Sequence, residues 1–264
     1  MFFYRIIVLS LFLVSVGSAL TVAAAEVPAI AAAADLKFAL AEAAAGFSAG
    51  TGKQVRISFG SSGTFMTQIE QGAPFEIFLS ADENFVLRLA ERGLTEDRGN
   101  LYAVGRIVLF APHGSALAVD DELRGLASAL AAGKIRRFAI ANPEHAPYGR
   151  AARLALQAAG LWAELAPRLV FGENAAQAMQ FAASGSADGG IVPLSLVKAP
   201  ETAGLGRYAI IPQAGHAAEP LRQRMVLLKG AGPTAREFSR YLQTPAAREL
   251  LERYGFVVPE GEGE

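Results

Sequence analysis

Short apolar runs alternate along the chain with longer stretches in which apolar residues recur every three or four positions. Continuous apolar runs are typical of buried strands, and the longer spacing is typical of helices. The pattern predicts strands at 27–33, 54–59, 75–80, 107–111, 137–140, 168–171, 189–192 and 223–228. It predicts helices at 38–48, 65–71, 83–92, 125–132, 149–160, 175–184 and 233–254.

Strands separated by helices indicate parallel sheets joined by β–α–β crossovers, so the pattern predicts an α/β fold. The Gly- and Pro-rich stretch 204–220 is assigned neither helix nor strand, and the last residues, 259–264, are predicted to form a solvated tail. The sequence shows no internal repeat and no long linker.

The N-terminus has the layout of a secretory signal peptide. Arg5 is the only charge before Glu26, residues 6–14 are almost purely apolar, and small residues follow as far as Ala25. The alternative is a membrane anchor, but the apolar core is shorter than the roughly 20 residues that a spanning helix needs. We therefore expect residues 1–25 to be a signal peptide, cleaved near Ala25, and the protein to be periplasmic.

Composition narrows the function classes. Of 264 residues, 52% are hydrophobic and 19% charged, which provides a sizeable core and excludes a disordered chain. With 24 Lys and Arg against 25 Asp and Glu, the chain has no basic surplus, and we expect no nucleic-acid partner. The absence of cysteine excludes disulfides and thiolate metal sites, and three scattered histidines do not suggest a histidine-based metal centre.

Catalytic motifs give little support for an enzyme. The segment 50–54 lacks the spacing of a phosphate-binding loop, and 60–63 does not match the nucleophile elbow G-x-S-x-G. Ser195 and Lys198 fit S-x-x-K, a serine acyl-transfer pattern, but neither K-T-G nor S-D-N follows. We expect no enzyme, with serine acyl transfer as a minor alternative.

Four segments share a more informative feature: a predicted strand ends, small residues follow, and a helix begins. Such junctions offer free backbone N–H groups and the positive end of a helix dipole, and several of them together make an anion site. Ser61, Ser62 and Thr64 would add hydroxyl donors. The alternative is that these residues are ordinary helix caps. The four segments are 33–36, 60–64, 146–149 and 172–175.

Six segments resemble the periplasmic molybdate-binding proteins of ABC transporters, in the order that this family shows. They span nearly all of the chain after residue 25, and the most specific is Gly72 to Asp82. The segments are 31–36, 59–65 with Gln68 and Ile69, 72–82, 142–149, 173–174 and 189–192.

The resemblance implies a two-lobed type II periplasmic binding-protein fold, each lobe a mostly parallel sheet flanked by helices, with the ligand in the cleft between the lobes. Lobe 1 would comprise residues 26–108 and 215–264, and lobe 2 residues 109–214. The chain would cross between lobes near Leu109 to Pro112 and near Pro212 to Gln223, and the lobes would close by a hinge motion.

The resemblance also implies ligand contacts at Asp35, Ser62, Tyr148, Ala175 and Pro193. Only Ser62 is a clean match to a side-chain donor. The ligand would be molybdate and also tungstate, bound as the whole oxyanion, so no protein atom would coordinate the metal directly and no cofactor is implied. The partner would be the membrane permease of an ABC transporter, and we expect a monomer.

Several positions depart from the family. Asp35 stands where Ser or Asn is frequent, so we expect it to donate its backbone N–H while its side chain caps the helix or points away. Pro193, which has no N–H, replaces a Tyr of some members, whereas Tyr148 could supply a substitute hydroxyl. Ala175 offers only its backbone. Arg150, close in sequence, is expected to be a solvated first-turn residue.

Other oxyanions remain open on the sequence alone. Molybdate is a dianion that needs only hydrogen-bond donors. Sulfate has the same charge and shape but is smaller, so cavity size would have to exclude it. Phosphate carries a proton at neutral pH and needs one acceptor, which Asp35 could provide.

Overall fold

The structure is a computed structural model that describes residues 27–259. The expected signal peptide, its cleavage position and most of the predicted tail lie outside these residues. The strands of the described chain are β1 (Ala29–Ala33), β2 (Arg56–Gly60), β3 (Ile77–Ser80), β4 (Asn100–Val104), β5 (Ile107–Pro112), β6 (Phe138–Ala141), β7 (Leu169–Gly172), β8 (Gly189–Pro193), β9 (Gly206–Ile210) and β10 (Arg222–Leu227).

The helices are α1 (Lys37–Thr51), α2 (Ser62–Glu70), α3 (Glu83–Glu91), α4 (Arg124–Ala131), α5 (Pro147–Ala158), α6 (Trp162–Leu165), α7 (Ala175–Ala183), α8 (Leu194–Val197), α9 (Pro233–Tyr241) and α10 (Pro245–Arg253). Three short 3-10 turns lie at Ala34–Leu36, Ala166–Arg168 and Gln213–His216. Within residues 27–259, no helix is both long enough and apolar enough to span a bilayer.

The strands form two five-stranded sheets, which we call lobe 1 and lobe 2 together with their helices. Lobe 1 has the order β2-β1-β3-β10-β4, and lobe 2 has the order β7-β6-β8-β5-β9. In each sheet four strands run in one direction and one runs against them, β10 in lobe 1 and β5 in lobe 2. The predicted mostly parallel sheets are therefore mixed sheets with a single reversed strand each.

Helices cover both faces of the sheet in lobe 1. On one face α1, α9 and α10 pack over a core that includes Phe47 and Phe238, whose rings meet edge to face at 5.1 Å. On the other face α2 and α3 cover a smaller core. Burial on both faces explains why the inner strand β3 is a continuous apolar run rather than an alternating one.

The chain passes between the lobes twice. The first passage lies between Val104 and Ile107, because β4 belongs to lobe 1 and β5 to lobe 2. The segment 109–112, where we expected this crossing, is instead inside β5. The second passage lies between Ile210 and Arg222.

The sequence pattern missed two strands and merged two helices. Both missed strands, β4 and β9, lie at sheet edges. β9 keeps Tyr208 and Ile210 exposed and has no strong apolar run, whereas β4 contains a short apolar run at 101–104 that the prediction left unassigned. The predicted helix 233–254 is two helices. The break is at Thr244, whose hydroxyl caps the second helix by accepting the Ala247 N–H at 3.4 Å. Pro245 follows, and because it has no backbone N–H it cannot donate a hydrogen bond to the preceding helical turn.

Candidate functional site

A small cavity lies between the two lobes, at the carboxyl ends of strands from both sheets. This is where open α/β sheets generally bind ligands. The cavity is lined by Ala33, Ala34, Asp35, Gly60, Ser61, Ser62, Ala81, Ala146, Pro147, Tyr148 and Ala175. Four of the five residues expected from the sequence are therefore brought together: Asp35, Ser62, Tyr148 and Ala175.

Each part of this lining follows a strand and precedes a helix. The four predicted junctions are the turn after β1 and the starts of α2, α5 and α7. A fifth, at Ala81 between β3 and α3, was missed. The residue that could have indicated this junction in the sequence is Asp82, a typical helix-capping residue, whose side chain caps α3 by accepting the Asn84 N–H at 2.9 Å. First-turn N–H groups have no acceptor within their own helix, so junctions of this kind can offer backbone donors to the cavity, whereas the Ala81 N–H is already taken by Ser62 Oγ.

Ser62 is buried, with 1% of its surface exposed. Its Oγ accepts the backbone N–H of Ala81 at 3.0 Å. Because this contact uses the oxygen as an acceptor, the hydroxyl hydrogen remains available to a ligand. The contact also ties the start of α2 to the end of β3, which fixes the hydroxyl in place.

The neighbouring hydroxyls do not serve the cavity in the same way. Ser61 Oγ donates to the backbone carbonyl of His145. The ring atom Nδ1 of His145 also lies 3.0 Å from Ser61 Oγ. Thr64 is exposed. Of the three hydroxyls considered from the sequence, Ser62 is the one placed to donate to a ligand.

The Asp35 side chain does not cap a helix, which was one of the two arrangements expected for it. Its Oδ2 accepts hydrogen bonds from the Tyr148 hydroxyl at 2.9 Å and from Gln223 Nε2 at 2.7 Å. Its Oδ1 is buried and has no hydrogen-bond partner among the described residues. Burial raises the pKa of Asp35 from 3.8 to about 6, although the bonds from Gln223 and Tyr148 favour the charged form.

Asp35 therefore belongs to a buried polar network that joins the lobes. Tyr102 donates from β4 to Gln223 Oε1 at 2.7 Å, and Gln223 Nε2 also lies 3.1 Å from the Tyr148 oxygen. Burial, followed by the nearby Asp35 charge, raises the pKa of both tyrosines well above 10, so both remain neutral donors. A Cβ at Gly105 would lie only 2.2 Å from the Tyr148 oxygen, so this crossing point requires glycine.

Ala175 and Pro193 differ in their relation to the cavity. Ala175 is the first residue of α7, which is capped by Asn174, and it can offer only its backbone N–H. Pro193 is buried at the end of β8, opposite Ile107, and is not among the lining residues of the described chain.

No Lys, Arg or His is among these lining residues. Positive potential at the cavity therefore comes from helix N-termini, as in other anion sites built from backbone. The residues 27–259 contain no cluster of His, Cys, Asp and Glu that could hold a metal ion. The arrangement suits an anion that is held by neutral donors.

Two further contacts hold the lobes together beside the cavity. The Gly63 N–H at the start of α2 donates to the His145 carbonyl at 3.0 Å. A Cβ at Gly63 would lie 2.6 Å from that oxygen, so a side chain would push the lobes apart.

The second contact centres on Arg150, which we expected to be solvated. Its guanidinium donates to Asp82 of lobe 1 at 2.6 Å and to Glu219 of the second passage at 2.8 Å. It also lies over the ring of Phe85, 5.3 Å from its centre. Burial raises the pKa of Asp82, and the Arg150 charge opposes this shift. Arg150 is thus a partly buried ion-pair partner that links the lobes.

The acyl-transfer motif finds no support in the geometry. The Ser195 hydroxyl is buried and donates to the Asp35 backbone carbonyl at 2.8 Å, whereas Lys198 is exposed. Ser195 positions the turn that carries Asp35.

Comparison with known proteins places this geometry in a family. The profile of bacterial extracellular solute-binding proteins matches residues 29–257. The chain belongs to this family. It is 39% identical over 245 residues to the molybdate-binding protein ModA of Rhodobacter capsulatus, covering 92% of each chain. It is 37% identical over 253 residues to ModA of Azotobacter vinelandii, covering 94% of this chain and 97% of that one.

A solved structure supports the same placement for this solute-binding protein. The periplasmic molybdate-binding protein of Azotobacter vinelandii superposes with a TM-score of 0.79 at 31% identity, covering 89% of this chain and all of the other. The resemblance stated from the sequence is confirmed, and so is the two-lobed α/β fold.

Proposed function

We propose that this protein captures molybdate in the periplasm and delivers it to the membrane permease of an ABC transporter. The observation that carries the proposal is the convergence of five strand–helix junctions and the Ser62 hydroxyl on one cation-free cavity. A tetrahedral dianion needs donors on all sides and no fixed countercharge. The ModA relatives, which are named for binding molybdate, support this choice of anion.

The ligand set that we propose is Ser62 through its hydroxyl, Asp35 through its side chain, and Tyr148 and Ala175 through backbone N–H groups. Pro193 would contribute through the packing of β8 and not as a donor. Tungstate, which has nearly the same size and the same charge, would bind as molybdate does. We propose further that the chain is exported, loses residues 1–25, acts as a monomer, needs no cofactor and catalyses no reaction.

One observation favours a second candidate ligand, phosphate. Asp35 Oδ1 is a buried acceptor without a partner among residues 27–259, and a hydrogen phosphate anion carries an O–H that needs such an acceptor. Molybdate remains the proposal because both ModA relatives match more than nine-tenths of this chain.

Calorimetric titration of the exported protein with molybdate, tungstate, sulfate and phosphate tests the proposal. We expect molybdate and tungstate to bind with micromolar or tighter affinity, which is about −8 kcal/mol or better. Sulfate and phosphate are expected to give no heat at the same concentrations. Tighter binding of phosphate or sulfate would leave the assignment of the fold unchanged but would show that molybdate is not the preferred ligand.

A further inference from the structure

Asp35 presents a chemical problem for an anion site. The residue lines the cavity, is 1% exposed, and keeps Oδ1 without a hydrogen-bond partner among the described residues. Its other oxygen already accepts two hydrogen bonds. Oδ1 is thus the carboxyl atom left for a ligand.

Within residues 27–259, no cationic side chain contacts Asp35. The groups that face it are the Tyr148 hydroxyl from α5, the Gln223 amide from β10 and the Ser195 hydroxyl from α8, with Tyr102 of β4 behind Gln223. All of these are neutral. An ionised carboxylate beside a dianion would therefore repel it in a buried site, where the helix N-termini are shared by both negative charges and no cationic side chain offsets the repulsion.

A single proton removes this conflict. We propose that Asp35 binds the oxyanion as a carboxylic acid, with an Oδ1–H group that donates a hydrogen bond to an oxygen of the anion. Oδ2 then remains the acceptor for Tyr148 and Gln223. This inference rests on the proposed function, because it requires an anion that carries no proton of its own.

Proton uptake accompanies binding wherever Asp35 is ionised in the free protein. The proton comes from solvent and stays on Asp35, while the anion enters and leaves unprotonated. Burial raises the pKa of Asp35 to about 6, so the free protein carries the charged form at neutral pH. A bound dianion favours the acid still further.

The consequence is a proton-linked affinity. Above the pKa of the free protein, each binding event takes up about one proton, so the association constant falls about tenfold for each pH unit. Below that pKa the affinity becomes independent of pH, as long as the anion itself stays unprotonated.

The test is calorimetric titration of molybdate at about pH 6 and about pH 8, in buffers of different ionisation enthalpy, with wild type and Asp35→Asn. Asn keeps an oxygen for Tyr148 and Gln223 and offers a permanent N–H donor at the other position. We expect wild-type affinity to fall about 50-fold over these two pH units, because Asp35 is already about half ionised at pH 6, with uptake of about one proton at the higher pH. The Asp35→Asn variant should show neither effect and should bind more tightly than wild type at pH 8.

Matched variants separate the proton linkage of Asp35 from unspecific effects of removing a carboxylate or of weakening the site. Asp121→Asn removes an exposed carboxylate and should retain the wild-type pH dependence. Ser62→Ala should weaken binding by a similar factor at both pH values. If Asp35→Asn does not fold, the buffer dependence of the wild-type heat alone counts the protons.

Three results overturn the inference. Molybdate binding without proton uptake, or with the same pH dependence in wild type and Asp35→Asn, removes the acid role but leaves the proposed function intact. Phosphate binding that is lost in Asp35→Asn makes Asp35 an acceptor and replaces the ligand. No binding of molybdate or tungstate at any pH removes the proposed function itself.

Discussion

The Tyr148 hydroxyl donates a hydrogen bond to Asp35 Oδ2 at 2.9 Å and so joins lobe 2 to lobe 1 beside the cavity. The two residues are 113 positions apart in the sequence. Their contact couples the closure of the lobes to the charge of Asp35, because the tyrosine donor favours the ionised carboxylate.

Tyr148→Phe should shift the pH dependence of molybdate binding. Removing the hydroxyl takes away a bond that lowers the pKa of Asp35, so the pKa rises further above its ordinary value. Asp35 then stays protonated to higher pH, and the midpoint above which affinity declines moves upward. Affinity profiles between about pH 5 and pH 9 measure this midpoint; an unchanged or lowered midpoint would contradict the coupling.

Asp35→Asn should stabilise the ligand-free protein at neutral and alkaline pH. The pKa of Asp35 is about 6 in the folded protein and 3.8 as the ordinary value, so the folded state binds more protons between these values. Its contribution to stability is therefore lost as the pH rises from about 4 to 6, by up to about 3 kcal/mol.

Urea unfolding of wild type and Asp35→Asn at several pH values measures whether the stability contribution of Asp35 falls as the pH rises. The stability difference in favour of Asp35→Asn should grow from about pH 4 to about pH 6 and stay constant above. Asp121→Asn serves as the control and should show no such trend. A difference that shrinks as the pH rises would show that the carboxylate is stabilised in the folded protein.

Ser62→Ala should weaken molybdate binding. A hydrogen bond from a neutral donor to an ion contributes about 1.5–3 kcal/mol, so the dissociation constant should rise about tenfold to a hundredfold. The variant also leaves the Ala81 N–H without its acceptor, which should lower the free energy of unfolding by about 1–3 kcal/mol. Titration at a temperature where the variant remains folded separates the two effects.

Thr64→Ala is the matched control for this prediction, because it removes an exposed hydroxyl from the same helix. Its affinity should equal that of wild type. Equal losses in the two variants would mean that Ser62 does not touch the ligand.

Arg150→Met should speed the release of molybdate. The change removes the ion pair with Asp82 that links the lobes while keeping a long apolar side chain over Phe85. We expect dissociation about tenfold or more faster, since charged hydrogen bonds of this kind contribute about 1.5–3 kcal/mol. Stopped-flow dissociation of the complex measures the rate.

Arg153→Met is the control for Arg150, because Arg153 lies on the same helix and its ion pair within the described residues is a long, exposed one with Glu144 at 3.7 Å. Exposed pairs contribute little, so its release rate should be unchanged. Similar release rates in both variants and wild type would show that Arg150 does not help to hold the lobes closed.

The sequence predicted the parts of the fold that have a strong local pattern. The inner strands β3, β5, β6 and β8 are wholly buried, and their continuous apolar runs are visible in the sequence. The edge strand β9 lacks such a run, and β4 has only a short one at 101–104 in a strand that is partly exposed, so both were missed. Pro245 is a local helix-breaking residue, and it divides the helical spacing of 233–254 into two helices.

The lining of the cavity was predictable where it depends on local sequence and not where it depends on strand order. Ser62 and Ala175 follow strand ends and begin helices, which the sequence shows directly. Gln223 was missed because it reaches Asp35 only when β10 inserts between β3 and β4, 188 positions further along the chain. No spacing in the sequence specifies that insertion.

The central claim is tested most directly by anomalous diffraction from crystals of the protein grown with molybdate. The account predicts one strong molybdenum peak in the cavity between the lobes, with oxygen atoms of the anion facing Ser62 Oγ and Asp35 Oδ1. A peak at another place, or crystals grown at saturating molybdate with no peak in this cavity, would contradict it.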